Sequence, residues 1–272
     1  MSFATWFNGT AEKSEDVEAG QEPQLVTERD GNPLAFHVHP VYPLVIDPVL
    51  VGATEHFSVL RTRLLNAHHK TGLRSLIVTS PEKEEGKSLI CTNLGITLGQ
   101  LGKPRVLLVD GDLRVRGMTE LLGLQNDRGV GDYLQDKAEF QDCIRNTEYP
   151  SLCIAPVGDV QEDSMPTLLE GPRWPAFLQR AKEEFDLIVV DSVPITAPIA
   201  DFELLSGPCD AALLTVQLRK TTREALDLTV NRLEKKLIGV IINNAQAGSG
   251  YYADYYGKKN PYYGKSKRKN GA

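Results

Sequence analysis

No apolar run in the 272-residue chain approaches the roughly 20 residues a membrane-spanning helix needs, so no segment is expected to cross a bilayer. Cysteine is scarce as well. Cys91, Cys143, Cys153 and Cys209 are widely separated, with no C-x-x-C and no histidine at ligand spacing, which argues against a zinc site or a disulfide framework and for buried, reduced thiols. The opening stretch MSFATWFNGTAEKSED lacks the charged-then-apolar order of a secretory signal, so the sequon Asn8-Gly9-Thr10 carries little weight and a cytoplasmic location is the expectation. No internal repeat is seen. What is there, 41% hydrophobic and 24% charged residues, is the composition of an ordinary globular protein, long enough for one full core with appendages.

The formal net charge of -6 conceals a polarity. Residues 1–30 hold seven acids against Lys13 and Arg29, whereas residues 250–272 hold six bases against Asp254. Neither end has the apolar content to order itself. The expected organisation is a flexible acidic, proline-containing arm over 1–45, a folded domain over 46–246, and a disordered basic, tyrosine-rich tail over 247–272.

Within the domain, short continuous apolar runs read as strands covered on both faces: SLIVT (75–79), RVLLVD (105–110), LCIAP (152–156), DLIVVD (186–191), AALLTV (211–216) and LIGVIIN (237–243). Amphipathic stretches separate them, such as 87–101 with Ile90, Leu94, Leu98 and Leu101 on one stripe, and 222–236 with Leu226, Val230 and Leu233. A further helix is expected over about 53–67, exposing Glu55, Arg61 and Arg63. This alternation predicts an α/β fold, a mostly parallel sheet with helices on both faces.

The stretch TSPEKEEGKSLI (79–90) lies between a strand and a helix and ends in Gly86-Lys87-Ser88, the last three places of the phosphate-binding pattern G-x-x-x-x-G-K-[ST]. Its first glycine is replaced by Pro81. Helix N-terminal N–H groups and the helix dipole would point at an anion there, with Lys87 on the β and γ phosphates and the Ser88 hydroxyl on Mg²⁺. Two more strands end in carboxylates, Asp110 and Asp112 in VLLVDGDLR and Asp191 in DLIVVDSVP. Ligands of open α/β sheets gather at that edge, and a metal bridging two phosphates needs oxygen ligands there.

The set EGKS, VLLVDGDLR, FDLIVVDSVP and GVIINN resembles the Walker A, Walker A′, Walker B and terminal Asn-bearing strand of bacterial tyrosine kinases of exopolysaccharide and capsule systems, within the MinD/ParA-like P-loop ATPases. The match runs from about Glu55 to Asn244, with D-x-D-x-R its most discriminating part. The resemblance implies a P-loop NTPase fold and use of ATP and Mg²⁺. It implies a nucleotide held by Glu84, Glu85, Gly86, Lys87, Ser88 and Leu89 with Asn243 at the adenine, and a metal placed by Ser88, Asp112 and Asp191. Lys87, Asp110 and Asp112 then serve in catalysis. It also implies a homo-oligomer working peripherally at the inner membrane through a membrane-spanning polysaccharide chain-length or activator protein, opposed by a phosphatase.

Several positions depart from the family's pattern. Lys83 and Glu84 stand where it has Pro-Gly, Glu82 where the MinD/ParA signature lysine falls, Val115-Arg116 in place of Arg-Pro, and Ser192-Val193-Pro194 in place of Thr-Pro-Pro. The family's first-helix E-x-x-R-x-x-R, which the resemblance links to subunit contacts, appears as Glu55, Ser58 and Arg61, with one of its three charges missing. A Glu84 carboxylate about 6 Å from a phosphate charge costs on the order of 1–3 kcal/mol at an effective dielectric of ~20 or above, a loss of about ten- to a hundredfold in affinity. A degenerate pseudokinase acting as a regulatory module therefore stands as an alternative to an active kinase; a MinD/ParA-type ATPase is the other alternative, and Glu82 in place of the signature lysine counts against it.

Six of the nine tyrosines lie in the tail: Tyr251, Tyr252, Tyr255, Tyr256, Tyr262 and Tyr263. They come in pairs among Gly, Lys, Asn and Pro, neither alternating as in a strand nor striped as on a helix. No basic face accompanies them elsewhere in this acidic chain, so no nucleic-acid partner is expected. In the family resembled, such a cluster is autophosphorylated.

Overall fold

Apolar runs closed off by turn residues build a single sheet. The computed structural model describes residues 4–6, 33–36, 44–46, 51–125, 127–161, 165–197 and 200–244. In chain order these form β1 (Ala4–Trp6), α1 (Val51–Thr71), β2 (Ser75–Thr79), α2 (Lys87–Gly99), β3 (Val106–Asp110), α3 (Gly117–Leu121), α4 (Val130–Leu134), β4 (Arg145–Asn146), β5 (Leu152–Ala155), α5 (Met165–Glu170), α6 (Arg173–Glu184), β6 (Leu187–Asp191), α7 (Asp201–Ser206), β7 (Ala211–Gln217), α8 (Arg223–Leu233) and β8 (Leu237–Asn243). The sheet order is β1-β8-β7-β2-β6-β3-β5-β4. All neighbours are parallel except β4 and β5.

Successive strand residues point to opposite faces, and both faces are covered. Leu76, Val78, Leu108 and Val189 pack with Phe57, Leu60 and Leu64 of α1 and Leu94 and Leu98 of α2. Ile77, Leu107, Val109 and Val190 pack instead with Val130 of α4, Trp174 and Phe177 of α6 and Leu205 of α7. Apolar runs without alternation are the result, as expected for a buried parallel sheet. The helix α2 is pressed close to the sheet: a Cβ on Gly95 would overlap Leu108 Cδ1.

Two helical stripes differ from the sequence reading. Ile90, Leu94 and Leu98 are buried, but Leu101 lies beyond the end of α2 and is 47% exposed. On α8 the inward positions are Ala225, Thr229 and Leu233, with Val230 exposed. Thr229 tolerates burial because its hydroxyl donates to Ala225 O within the helix (2.7 Å). On α1, Glu55 is exposed, whereas Arg61 is half-buried and donates to Thr97 O of α2 (2.9 Å).

Parts of the N-terminal segment lie on the domain. Ala4–Trp6 adds a parallel strand beside β8, and Leu34 bridges to Thr147 near the opposite edge. Phe36 stacks on Tyr149 with ring centroids 5.8 Å apart, and Leu44 and Val45 are buried, Val45 N donating to Asn93 Oδ1 (2.7 Å). The acidic residues between these points, the sequon at Asn8 and the whole tyrosine tail lie outside the described residues. Among the described residues no helix is long and apolar enough to cross a membrane. All four cysteines are free and buried, and burial pushes the Cys143 and Cys209 thiols up to about 12.

At the edge of the sheet away from the phosphate loop, Asp210 joins the starts of β2 and β7. Its carboxylate accepts from the N–H groups of Arg74 and Ser75 (2.9 Å each) and pairs with Lys182 Nζ (2.8 Å). Burial acts to raise its pKa, but these three donors more than offset it and hold the group below the usual carboxylate range. A depressed pKa stabilises the fold above the unfolded value near 3.9 and loses that contribution as pH falls through the folded value. Asp210→Asn is expected to lower Tm by about 2–4 °C at pH 7, with the gap to wild type closing below about pH 4 in paired thermal melts. A gap of equal size at both pH values would remove the ionic explanation.

Candidate nucleotide site

The order β2-β6-β3 brings three functional strand ends side by side. Asp110, last in β3, is the direct register partner of Asp191, last in β6, and β6 pairs in turn with β2, which leads into the loop 80–86. Cross-bonds lock the ends together: Ser192 Oγ donates to Val78 O (2.8 Å), Thr79 Oγ1 to Val193 O (2.8 Å), and Gly111 N to Asp191 O (2.9 Å). A Cβ on Gly111 would lie 2.7 Å from that same carbonyl, so the strand ends meet this closely only with glycine there. The loop is also tied to the segment after β6, since Ile195 N donates to Ser80 O and Thr196 Oγ1 to Pro81 O.

Lys87 and Ser88 open α2, whose first-turn N–H groups have no acceptor within the helix. Lys87 is only 8% exposed. Facing it, Asp110 and Asp191 are fully buried and Asp112 is 4% exposed. Burial drives the Asp110 carboxyl well above its usual range, with the Asp191 charge adding to the rise, while Thr119 opposes it by giving both its N–H and its hydroxyl to Oδ2 (2.8 Å each). Burial likewise raises Asp191, and the Lys87 ammonium and Ser88 hydroxyl pull it back down. Asp191 Oδ1 accepts from Ser192 N (3.1 Å) and lies 3.9 Å from the Cys91 thiol, but Oδ2 is buried without a hydrogen-bond donor. Such an orphan atom beside a serine hydroxyl fits a hard divalent cation or its bound water. No group of three or more His, Cys, Asp or Glu among the described residues encloses a metal alone, so phosphate and water oxygens would have to complete its shell.

The remainder of the loop is held from the β7–α8 side. Glu85 is fully buried: one carboxylate oxygen accepts from Glu82 N (2.9 Å) and the other from the Thr221 hydroxyl. Asn243, at the end of β8, donates from Nδ2 to Glu85 O (3.0 Å) and stands so close to Gly86 that a Cβ there would overlap Nδ2. The Glu84 side chain is 90% exposed and faces Lys220 Nζ at 3.6 Å. The Glu84 carboxylate, set beside the phosphates by the sequence reading, is solvent-exposed here and faces an ammonium.

No family model matches the chain. Tyrosine-protein kinase CpsD of Streptococcus agalactiae serotype III (strain NEM316) is 30% identical over 205 residues, covering 74% of this chain and 86% of CpsD. The chain belongs to the bacterial tyrosine-protein kinases. Tyrosine-protein kinase ptk of Acinetobacter johnsonii is also 30% identical, over 204 residues that cover 74% of this chain but 27% of ptk, so the bacterial tyrosine kinase region here corresponds to about a quarter of that longer protein. The kinase domain of Escherichia coli tyrosine kinase ETK shares the fold with a TM-score of 0.71 at 23% identity, over 91% of this chain and 93% of that one. MinD from Pyrococcus horikoshii OT3, solved with Mg-ADP, superposes more loosely, with a TM-score of 0.53 at 22% identity over 62% of this chain and 70% of that one.

Among the residues singled out in this bacterial tyrosine kinase, Lys87, Ser88, Asp110, Asp112 and Asp191 form one cluster, with Gly86 at its rim. Leu89 packs its side chain against the α1–α2 core, leaving only its backbone for the site. Arg114 of D-x-D-x-R pairs with Asp201 of α7 (2.8 Å). The six tail tyrosines lie outside the described residues. Sequence reasoning missed Thr119, Thr221, Gly111 and Gly117, the last allowing Ser88 Oγ to approach within 2.7 Å of where its Cβ would be. Only Gly111, between two aspartates at a strand end, carried a local signal.

Proposed function

We propose that the chain is a Mg²⁺-ATP-dependent protein-tyrosine autokinase that phosphorylates its own tail at Tyr251, Tyr252, Tyr255, Tyr256, Tyr262 and Tyr263 and so regulates exopolysaccharide or capsule synthesis or export. The observation that carries this reading is the buried, unpartnered Asp191 Oδ2 beside Ser88 and Lys87, at the mouth of a phosphate loop. Bound Mg²⁺ supplies charge neutralisation of the β and γ phosphates. Ser88 and Asp191 would hold it, Lys87 would bind the same phosphates, and Asn243 would border the base.

A phenol with pKa near 10 needs a proton acceptor at neutral pH. Asp110 is poorly available, because Thr119 takes one of its oxygens and Asp112 N (3.3 Å) the other. Asp112 accepts from Val115 N (3.1 Å) through Oδ1 and keeps a carboxylate oxygen for the substrate. In the step we assign, the phenolic oxygen bonds to the γ phosphorus, its proton passes to Asp112, and ADP leaves. Six phosphotyrosines at about -1.5 to -2 each would reverse the sign of the basic tail. The chain would act in the cytoplasm as a homo-oligomer, held at the inner membrane by a membrane-spanning chain-length or activator protein and reset by a phosphatase.

The test is phosphotyrosine mapping by mass spectrometry on the phosphatase-treated full chain, incubated with Mg²⁺-ATP with and without the membrane-spanning partner. Phosphate on the tail is the expected result. Nucleotide binding without turnover would replace this reading with a pseudokinase module, and released inorganic phosphate with an unmodified tail would replace it with a MinD/ParA-type ATPase.

A further inference from the structure

Glu84 sits at φ 58°, a left-handed conformation that strains any residue with a Cβ. The contacts of one exposed side chain explain how it is kept there. Lys220 Nζ, from the turn after β7, lies 2.8 Å from Lys83 O, 3.2 Å from Glu84 O and 3.6 Å from the Glu84 carboxylate. Two of the ammonium's three donors therefore bond to the carbonyls of two consecutive loop residues, and its charge faces the carboxylate of the second at ion-pair distance. In a trans peptide the C=O and the following N–H point opposite ways. With the carbonyls of 83 and 84 facing Lys220, the N–H groups of Glu84 and Glu85 face away from it. Asn243 does the same to the next peptide by holding Glu85 O, which turns the Gly86 N–H. Successive N–H groups aimed one way make an anion-binding nest, here running into the first turn of α2.

We propose that Lys220 is a positioning residue of the nucleotide site, turning the Glu84 and Glu85 N–H groups toward the phosphates and holding the Glu84 carboxylate out of the cradle. This rests on the reading of the loop as a nucleotide site. It explains how the loop accommodates a glutamate where the geometry favours glycine: an ammonium supplied from 136 residues along the chain neutralises its charge and fixes its backbone.

A double-mutant cycle tests it, with Mg-ADP affinity measured by calorimetry on the full-length wild type, Lys220→Met, Glu84→Gly and the double variant. Lys220→Met is expected to weaken binding about tenfold when Glu84 is present and less than about threefold in the Glu84→Gly background, a coupling of at least about threefold. Lys220→Arg, which keeps the charge and the donors, is expected to stay within about threefold of wild type. Thermal melts check that Lys220→Met remains folded, as its exposed position implies. Wild-type affinity in Lys220→Met, or an equal loss in both backgrounds, overturns the proposal and leaves the nucleotide reading standing. Binding by none of the four proteins overturns both.

Discussion

Lys87→Met is expected to give a folded protein whose tail phosphotyrosine falls at least about 100-fold, because it removes a phosphate-directed donor from a low-dielectric site. Lys87 is nearly buried, and its charge acts on Asp191 within a cluster that otherwise holds three carboxylates. Without the ammonium, a triphosphate would enter a site whose nearest side-chain charges are all negative, so affinity falls together with turnover. Methionine keeps most of the side-chain volume. The cost to the fold is therefore modest, on the order of 1 kcal/mol or about 2–4 °C in Tm, since Asp191 can take up a proton once its counter-charge is lost. Mass spectrometry of the tail after incubation with Mg²⁺-ATP, beside a circular-dichroism melt, checks both parts. Tail phosphate at wild-type level in this variant would place the chemistry elsewhere.

The sheet was legible because a buried parallel strand needs little context. SLIVT, buried throughout, and LIGVIIN, half-buried at most positions, match β2 and β8 to the residue, since an apolar run bounded by charged or turn residues marks an extended segment that packs into the sheet. The two-residue β4 and the strand Ala4–Trp6 were missed for the opposite reason: each is too short to carry a period and exists only by pairing with a distant strand. The phase of α8 was misread because hydropathy placed Val230 inward, whereas Thr229 satisfies its hydroxyl within the helix and takes the buried place.

The candidate site divides along the same line. Asp110, Asp112 and Asp191 could be placed together from sequence because each ends or follows a strand, and strand ends of a parallel sheet share one edge. The posture of Glu84 could not be read there. A local view puts its carboxylate beside the phosphates, and only the fold brings Lys220 to the other side. Arg61 gives a parallel case: the motif assigns it to subunit contacts, yet it donates to Thr97 O in its own chain.

Asp112→Asn is the second large effect. If Asp112 takes the phenolic proton, its amide counterpart is expected to lower tail phosphorylation at saturating Mg²⁺-ATP by about 100-fold or more, the usual contribution of a general base. Its fold should be preserved, because an asparagine oxygen can still accept from Val115 N. Asp110→Asn provides the contrast. It keeps an oxygen for both Thr119 bonds and removes one of two buried, adjacent carboxylates, but it sets an amide NH2 against Asp112 N, which donates to the other Asp110 oxygen (3.3 Å), so the nucleotide-free protein is expected to gain no more than about 1 kcal/mol, or roughly 2–4 °C in Tm. Single-turnover tail phosphorylation and thermal melts on the two variants separate the roles. A turnover loss confined to Asp110→Asn would transfer the base to Asp110, and a fall in its Tm would show that the buried charge is needed to hold Thr119 and the end of β3 in place.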